Sequence, residues 1–513
     1  MYASKFKALP VDKYKVEIYL GCGGILLFIL SMFIPPIADD WAYLASPRIQ
    51  EFRLAAFRRI CDVLIGMFLQ SHPTWFPRLN SVLIIVSHTA CAILFYKISV
   101  NFLKIKARIS LFFAFAFLIG GNTIITVFNY DCFNQTGSLL FGALGIYFFL
   151  KSKSIRGKFT AYFVFCILSL CVKESGIVYF AVIPLFGTIK NIEYDNFNII
   201  SEVKTLTAFY IPGFICALLY YFSPIIQSEK VFVYGSGYSI GQYIIGIFSR
   251  LVFAYSQVSH NALNRFKGTV SISSLSVTSA GILLSLPILV ISAIVIIDYI
   301  KNKSIQFLLI LLLILNSIII FTPTLMASYS GSPHNMNCIV FFANFVFCRL
   351  MNTIDKKRVL LCVTAFGMAA LISSTNTYIQ FIHTSIRQRK SIEKISALLS
   401  KEKINTYIVY NINRHQTKKG GQFPATLYNM QQIFGHGSQL MPVVGYSAKS
   451  TTVQICNEKL ETKGIANSGA AYFNLSDEDL LLYVQQEAQN AVKSGSYDLA
   501  LILLPNDEFY LYQ

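Results

Sequence analysis

The chain has few charged residues: only 13% of its 513 residues are Asp, Glu, Lys or Arg, whereas 54% are hydrophobic. A water-soluble globular domain normally carries charge on about a quarter of its residues. So little charge cannot cover a water-soluble surface for a chain of this length, and lipid must solvate much of it. The composition therefore predicts an integral membrane protein.

Acidic residues are scarcer than basic ones, with 25 Asp and Glu against 43 Lys and Arg, which gives a formal net charge of +18. A surplus of this size is typical of nucleic-acid-binding proteins when the basic residues form one surface. In this chain they cluster in short connections between apolar runs. The positions of the charges therefore favour a membrane and exclude nucleic acid as a partner.

Several functional motifs are missing. The 11 cysteines include no CxxC pair and no Cys/His ligand spacing, so the sequence supports neither a disulfide framework nor a metal site. No nucleotide-sugar motif occurs. No internal repeat is evident, which gives no support to a transporter built from repeated halves.

Long apolar runs are abundant, and about eleven of them are candidates for transmembrane helices. The run near the N-terminus follows a basic lead and is too long for a signal-peptide core, so we expect it to stay as the first membrane helix. The predicted fold class is an α-helical polytopic membrane protein with a small C-terminal α/β soluble domain. The runs lie at residues 16–37, 81–100, 109–127, 139–150, 159–172, 177–189, 206–222, 276–300, 305–321, 338–351 and 359–378.

Positive charge falls on every second connection between these runs. Because cytoplasmic loops carry the excess of Lys and Arg, the alternation predicts a cytoplasmic N-terminus and a C-terminal domain on the opposite face. The predicted domains are a transmembrane domain, residues 1–378, and an α/β domain, residues 379–513. The basic groups are Lys5, Lys7, Lys13 and Lys15; Lys104, Lys106 and Arg108; Lys151, Lys153, Arg156 and Lys158; Lys190 and Lys204; Lys301 and Lys303; and Lys356, Lys357 and Arg358.

The α/β domain is predicted from a change in composition near residue 385. Residues 385–403 form a charged helical linker, and strands are expected at 404–412, 452–456 and 497–505. Ser476 and the acids after it are typical of a helix start. No catalytic motif is evident in this domain.

Two large loops lie on the face opposite the basic connections. The first, residues 38–80, places arginines among apolar residues and predicts an amphipathic helix at the membrane surface. The second, residues 223–275, contains an apolar segment at 240–253, which is interfacial, re-entrant or spanning. The basic connections at Lys301 and Lys356 argue against spanning, because a further crossing would reverse their side.

Asp39 and Asp40 are the most informative polar residues, since they directly follow the first apolar run. A carboxylate at this depth can reach both lipid headgroups and water. One of the two is a candidate general base that activates a hydroxyl beside a lipid-linked leaving group. The alternative is that Asp39 caps the next helix.

Lys173 and Glu174 interrupt an otherwise continuous apolar stretch, on the same predicted face as Asp39. Lys173 is a candidate ligand for a donor phosphate, with Glu174 orienting it. The alternative is a tight turn between helices with both ions in water.

Four further residues are weaker candidates. His334, in an outer loop, could contact a phosphate or a sugar, although a lone loop histidine is more often incidental. Asp131 offers another carboxylate, with a solvated turn as the alternative. Arg58 and Arg59 could bind donor phosphate, or they could simply meet anionic lipid.

Taken together, these residues resemble those of GT-C fold membrane glycosyltransferases, and within them the chain is similar to bacterial GtrII-type O-antigen glucosyltransferases. The resemblance rests on Asp39-Asp40-Trp41 after the first helix, on Arg58-Arg59 in the surface helix, on Lys173-Glu174 and on the helix layout with a trailing outer domain. It covers residues 1–378. Only the Asp pair is specific.

The resemblance implies inverting transfer of a sugar from undecaprenyl-phosphate glucose to a glycan acceptor at the periplasmic face of a bacterial inner membrane. One of Asp39 and Asp40 would be the base, cationic groups would steady the departing phosphate, and Asp131 and Trp41 would assist at the acceptor. No cofactor is required; a divalent metal is compatible with the acids but not needed.

Two rival functions remain. A polymerase or ligase acting on lipid-pyrophosphate glycans shares this topology, but its site is expected to be dominated by arginines, with a dispensable Asp pair. A transporter or flippase should place ionisable groups near the bilayer midplane. In this sequence they gather at the ends of the apolar runs.

Overall fold

The computed structural model describes residues 15–33, 76–128, 133–221, 274–327, 336–401, 407–411, 442–446, 451–455, 477–495, 498–504 and 509–512. These residues belong to two compact units, one helical and one built around a sheet. The units are described in turn.

Within the described residues of the helical unit, a helix lies at each of the eleven predicted apolar runs. Helix bounds reach beyond several of the runs, as expected for runs too short to span alone. The helices are α1 (Lys15–Ser31), α2 (Phe76–Phe102), α3 (Ala107–Ile119), α4 (Gly121–Val127), α5 (Phe133–Lys151), α6 (Ile155–Val172), α7 (Tyr179–Glu193), α8 (Ile199–Tyr221), α9 (Ser274–Lys301), α10 (Ile305–Ala327), α11 (Met336–Met351) and α12 (Lys356–Lys401).

Among the described residues, 6 helical segments are long and apolar enough to cross a membrane, and three more are apolar but shorter. This is the finding expected of a polytopic membrane protein, while the total of about eleven spans stays a prediction. The six are Ser81–Phe102, Phe133–Lys151, Ile155–Val172, Glu174–Glu193, Ile199–Tyr220 and Lys356–Thr375.

The run at 109–127 is not one continuous helix, contrary to the prediction. The helix is interrupted at Gly120, whose backbone is extended at φ −64 and ψ 141. Helices α3 and α4 lie on either side of this residue. A break leaves backbone carbonyls without helical partners, which inside a membrane is tolerated when neighbouring side chains bind them. Three side chains do so: Thr123 Oγ1 binds Phe117 O at 2.8 Å, His88 Nε2 binds Leu118 O at 3.2 Å, and Ser374 Oγ binds Ile119 O.

Helix α11 is the most deeply buried helix of the described bundle. Every residue from Ile339 to Met351 is buried, and the helix contacts α3, α4, α5, α9 and α10. Its phenylalanines fill the centre: Phe345 and Phe341 pack on Phe95 of α2 with ring centroids 4.4 Å and 5.8 Å away. A helix that is surrounded by other helices on all sides is buried in this way, and its polar residues Asn344 and Arg349 are bound by groups of those neighbours.

One end of the bundle gathers basic connections, and we call it the basic end. The Lys106 N–H donates to Asn352 Oδ1 at 2.9 Å, and Lys104 Nζ donates to the Glu193 carbonyl at 2.9 Å. Lys190 Nζ donates to the carbonyl of Leu150 at the end of α5, at 2.8 Å. These contacts bring together the connections after α2, α5, α7 and α11, as the charge alternation predicted; which side of the membrane they face stays a prediction.

A buried ion pair reinforces the basic end. Arg349 of α11 lies 2.9 Å from a carboxylate oxygen of Glu193 of α7, with side chains only 9% and 7% exposed. The same guanidinium donates to Gln306 of α10. Three helices are therefore tied together where the basic connections meet.

The opposite end of the bundle, called the far end, is where α1, α4 and α6 end and α5 and α11 begin. Helix α6 starts beside the basic connection at 151–154 and has 18 residues, a length of about 27 Å. At the far end the hydroxyl of Tyr378 in α12 donates to the carbonyl of Leu30 in α1, and its ring contacts Phe128 after α4.

Helix α12 continues further than expected. The sequence predicted a last span at 359–378 and a separate helical linker at 385–403, whereas the structure has one helix of 46 residues, Lys356–Lys401. Its start is fixed by Asp355, whose Oδ1 accepts hydrogen bonds from the N–H groups of Lys357 and Arg358, both at 3.0 Å. An aspartate at this position stabilises the helix N-terminus.

The second unit contains a five-stranded sheet in the order β3-β2-β1-β4-β5. The strands are β1 (Tyr407–Asn411), β2 (Pro442–Tyr446), β3 (Thr451–Ile455), β4 (Leu499–Leu503) and β5 (Phe509–Tyr512). Strand β1 pairs in parallel with β2 and β4, and β3 and β5 are antiparallel edges. Helix α13 (Asp477–Lys493) packs on β4 through Val484 and Ala488, which meet Ala500 and Ile502.

The predicted strands at 404–412, 452–456 and 497–505 correspond to β1, β3 and β4, and the predicted helix start at Ser476 to α13. Strands β2 and β5 were not predicted. The division at residue 378 and the role of this unit stay predictions. The interfacial helix of 38–80 and the segment at 240–253 lie outside the described residues.

A buried polar cluster as candidate functional site

Of the site residues predicted from the sequence, Lys173 and Glu174 are described. The others lie outside the described part of the chain, but the described residues that precede or follow several of them, at the ends of α1 and α4 and at the start of α11, lie at the far end with Lys173. The positions outside are Asp39, Asp40, Trp41, Arg58, Arg59, Asp131 and His334.

Lys173 sits in a sharp backbone turn between α6 and α7. Its backbone is extended, at φ −152 and ψ 141, and ends α6. Its N–H donates to Ser169 O at 3.0 Å, and its carbonyl accepts from the Gly176 N–H at 2.8 Å. A 3-10 turn, Glu174–Val178, then leads into α7. Both backbone polar groups of Lys173 are therefore fixed within the turn.

Gly176 allows this turn to press against α6. A Cβ atom at this position would overlap the backbone of Ser169 and Leu170. Backbone atoms cannot be displaced like the end of a flexible side chain, so only glycine fits the close approach. Gly176 thereby holds the turn, and Lys173 with it, against the end of α6.

Lys173 is buried, with only 9% of its surface exposed, and Glu174 is half-buried. The interpretation of this pair as a turn with both ions in water is therefore wrong for Lys173. A cation at such a position inside a membrane protein marks a candidate functional site.

Further polar side chains are buried at the far end, and with Lys173 they form what we call the far-end cluster. Helices α4, α5 and α11 contact one another, and α5 also contacts the 3-10 turn. The additional members are Thr126 of α4 (0% exposed), Asn134 (6%), Gln135 (8%) and Thr136 (0%) of α5, and Asn337 of α11 (0%).

The sequence reasoning missed most of this cluster. It began the span of α5 at residue 139, which left Asn134, Gln135 and Thr136 in a loop, whereas α5 begins at Phe133 and buries all three. Three consecutive polar residues shortly before an apolar run, separated from it only by Gly137 and Ser138, were the available signal. Asn337 belongs to the loop sequence in which only His334 was considered.

The far-end cluster combines a buried ammonium with amides and hydroxyls. An ammonium binds phosphate oxygens by charge-assisted hydrogen bonds. Amides and hydroxyls donate to and accept from sugar hydroxyls. The residue types therefore suit a phosphorylated sugar better than an apolar ligand.

Among the described residues, no group of three or more His, Cys, Asp or Glu side chains could hold a metal ion. The carboxylates that could contribute to one, Asp39, Asp40 and Asp131, lie outside the described ranges. That transfer needs no metal stays a prediction.

The solved structures that are similar to this chain include two membrane enzymes. ArnT from Cupriavidus metallidurans, bound to undecaprenyl phosphate, has a TM-score of 0.43 and 10% identity over 84% of this chain and 86% of that chain. The archaeal oligosaccharyltransferase AglB from Archaeoglobus fulgidus, in complex with an inhibitory peptide and a dolichol-phosphate, has a TM-score of 0.42 and 10% identity over 98% and 75%. Neither a family model nor a curated protein matches the chain.

Proposed function

We propose that the chain is a membrane glycosyltransferase that moves a sugar, glucose as the leading candidate, from a polyprenyl-phosphate donor to a glycan acceptor. The observation that carries this proposal is the burial of Lys173 at the end of the bundle where several amide and hydroxyl side chains are also buried. A buried cation in this setting suits a lipid-linked phosphate. The Asp pair that follows α1 in the sequence supplies the candidate base.

In the proposed reaction, Asp39 or Asp40 takes the proton of an acceptor hydroxyl. The hydroxyl oxygen forms a new bond to the anomeric carbon from the side opposite the phosphate, which inverts that carbon. The bond from the anomeric carbon to the phosphate oxygen breaks, and polyprenyl phosphate leaves with the electron pair. Lys173, oriented by Glu174 and aided by Arg58, Arg59 and His334, stabilises the charge on the leaving phosphate.

The location of the reaction follows from the charge distribution. Basic residues gather at the end opposite Lys173, and cytoplasmic loops carry the excess of Lys and Arg. The far end would then face the periplasm of a bacterial inner membrane. A surface glycan such as O-antigen is the acceptor expected there.

One observation weighs against the transporter or flippase alternative. Lys173 ends a helix rather than lying midway along it, whereas transporters bind their substrates near the bilayer midplane.

The test of the proposal is Lys173→Met in full-length protein in lipid nanodiscs, with undecaprenyl-phosphate glucose as donor. We expect the KM for the donor to rise by about tenfold or more, because a charge-assisted hydrogen bond is worth about 1.5–3 kcal/mol. Radioactive glucose transferred to a glycan acceptor is the measurement.

The matched control is Lys190→Met, since Lys190 also ends an apolar run but donates to Leu150 O at the basic end. This variant should keep the parent KM. Equal donor KM values in the parent and the Lys173 variant would remove Lys173 from the site, and a parent that transfers no sugar would remove the proposed function itself.

A further inference from the structure

Asn337 is the most unusual polar side chain of the far-end cluster. It is 0% exposed, and within the described part of the chain neither its Oδ1 nor its Nδ2 has a hydrogen-bond partner. An asparagine side chain offers two donors and one acceptor oxygen. Buried polar groups in proteins nearly always have partners, so this one requires an explanation.

Asn344 is a second buried asparagine on the same helix, and it has a structural hydrogen bond. Asn344 lies seven residues after Asn337, on the same face of α11, and is 1% exposed. Its Nδ2 donates to the carbonyl of Phe113 in α3 at 3.2 Å. The face that carries both asparagines therefore offers a partner at one position and none at the other.

The position of Asn337 connects it with Lys173. Helix α5 contacts both α11 and the 3-10 turn that directly follows Lys173. Asn337 is in the first turn of α11, and Lys173 ends α6 at the same end of the bundle. An anionic ligand held by Lys173 would therefore lie at the end of the bundle where the amide of Asn337 lacks partners.

We propose that Asn337 is a recognition residue for the sugar of the donor: its amide binds sugar hydroxyls while Lys173 binds the phosphate. This inference rests on the proposed glycosyltransferase function and deepens it. A hydroxyl both donates and accepts, and therefore matches an amide that offers both kinds of group. The unpartnered amide is then a stability cost kept for substrate selection, as occurs at functional sites.

The experiment measures donor KM for the parent and for Asn337→Leu, as full-length protein in lipid nanodiscs. The donors are undecaprenyl-phosphate glucose and its 2-, 3-, 4- and 6-deoxy analogues. Leucine fills a similar volume without polar atoms, so the variant should melt at the same temperature as the parent or higher. Its KM for the glucose donor should rise about tenfold, the loss expected for one or two hydrogen bonds.

The deoxy donors separate recognition from a general disturbance. At least one deoxy analogue should be a poor donor for the parent, because it lacks the hydroxyl that binds Asn337. For that analogue Asn337→Leu should have the same KM as the parent, since removing the hydroxyl and removing the amide abolish the same hydrogen bond. Asn344→Leu is the matched control: it should lower the melting temperature, because Phe113 O loses its partner, and shift all donors equally.

Each result decides between the alternatives. If Asn337→Leu has the same KM as the parent for all five donors, the amide binds only a water molecule. The recognition role is then overturned, while the glycosyltransferase function stands. If the Leu variant raises every KM by the same factor, the role is structural and is likewise overturned. If the parent transfers none of the sugars, the proposed function fails, and the assignment of Asn337 fails with it.

Discussion

Polar side chains are buried at both ends of the helical bundle, but their environments differ. At the basic end, Arg349 pairs with Glu193, and the carboxylate of Glu202 accepts from Thr188 at 2.7 Å and from Asn191. At the far end both polar atoms of the Asn337 amide lack a partner within the described residues, whereas at the basic end Arg349 has two partners although its Nε has none. Satisfied polar networks rigidify a core, whereas an unsatisfied group costs stability and is kept where it serves another purpose.

The comparison assigns structure to the basic end and chemistry to the far end. Substitutions at the basic end should therefore change stability more than transfer, and those at the far end should change transfer more than stability. Three predictions, beyond the tests of Lys173 and Asn337, make this division measurable.

The largest effect is expected from the Asp pair, which the proposal assigns to the far end. Replacing the general base by its amide should reduce transfer by about a hundredfold to ten-thousandfold, since this is what general base catalysis typically contributes. Asp39→Asn and Asp40→Asn are made separately, and transfer from undecaprenyl-phosphate glucose is measured at saturating donor.

Asparagine is as good a helix cap as aspartate, so a residue that only caps a helix tolerates this change. Membrane insertion and melting temperature of both variants should match the parent. Near-normal transfer by both would contradict the proposed mechanism at its central step and favour the ligase alternative, in which the pair is dispensable.

The next effect is a loss of stability at the basic end. Arg349→Met leaves Glu193 buried without its cation, and removing one member of a buried pair typically costs about 3–5 kcal/mol. Reversible unfolding in mixed detergent micelles measures the free energy, and the donor KM of the surviving protein should equal that of the parent.

The control for Arg349 is Arg358→Met, because Arg358 forms an ion pair with Asp355 in which both side chains are mostly exposed, at 66% and 54%. Exposed pairs contribute little. Similar losses of unfolding free energy in the two variants would show that burial of the Arg349 pair is unimportant. A raised donor KM in Arg349→Met would show that the basic end also affects substrate binding, which would contradict the assignment of stability to one end and transfer to the other.

The smallest effect concerns pH at the start of α12. The N–H of Arg358 donates to the Asp355 carboxylate, and with the nearby charges this lowers the pKa of Asp355. A carboxyl with a lowered pKa adds stability above its unfolded pKa of about 3.9, and this is lost as pH falls through the folded pKa. Melting curves from pH 6 to pH 3 should show a slightly steeper acid loss in the parent than in Asp355→Asn, and identical pH profiles would contradict the assignment.

Much of the helical unit could be predicted from the sequence, because a membrane requires long apolar runs and positions its basic connections. Lys173 and Glu174 were found because two charges interrupt such a run. Asn134 and Asn337 were missed for the converse reason: polar residues next to an apolar run are read as loop, and only packing shows that they are buried.

The break at Gly120 and the sheet illustrate a different limit. Hydropathy measures the transfer of side chains to lipid and does not depend on backbone conformation. One extended residue within an apolar run leaves it unchanged, so the sequence could not show that the run at 109–127 is divided into α3 and α4. Strand β2 is as long as the predicted strands β1, β3 and β4, and β5 is one residue shorter. Strand β2 pairs in parallel with β1, and β5 pairs antiparallel with β4. Such pairings depend on tertiary contacts more than on local preference.

The break at Gly120 also has a consequence for biogenesis. Helix α3 has 13 residues, about 20 Å, which is too short for a hydrocarbon core of about 30 Å. One of the carbonyls exposed by the break is bound by His88, only 30 residues away, but Ile119 O is bound by Ser374, 255 residues later. During synthesis Ile119 O therefore lacks its Ser374 partner until α12 has entered the membrane, and we expect chains truncated before residue 374 to be less stable in the membrane than the full-length chain.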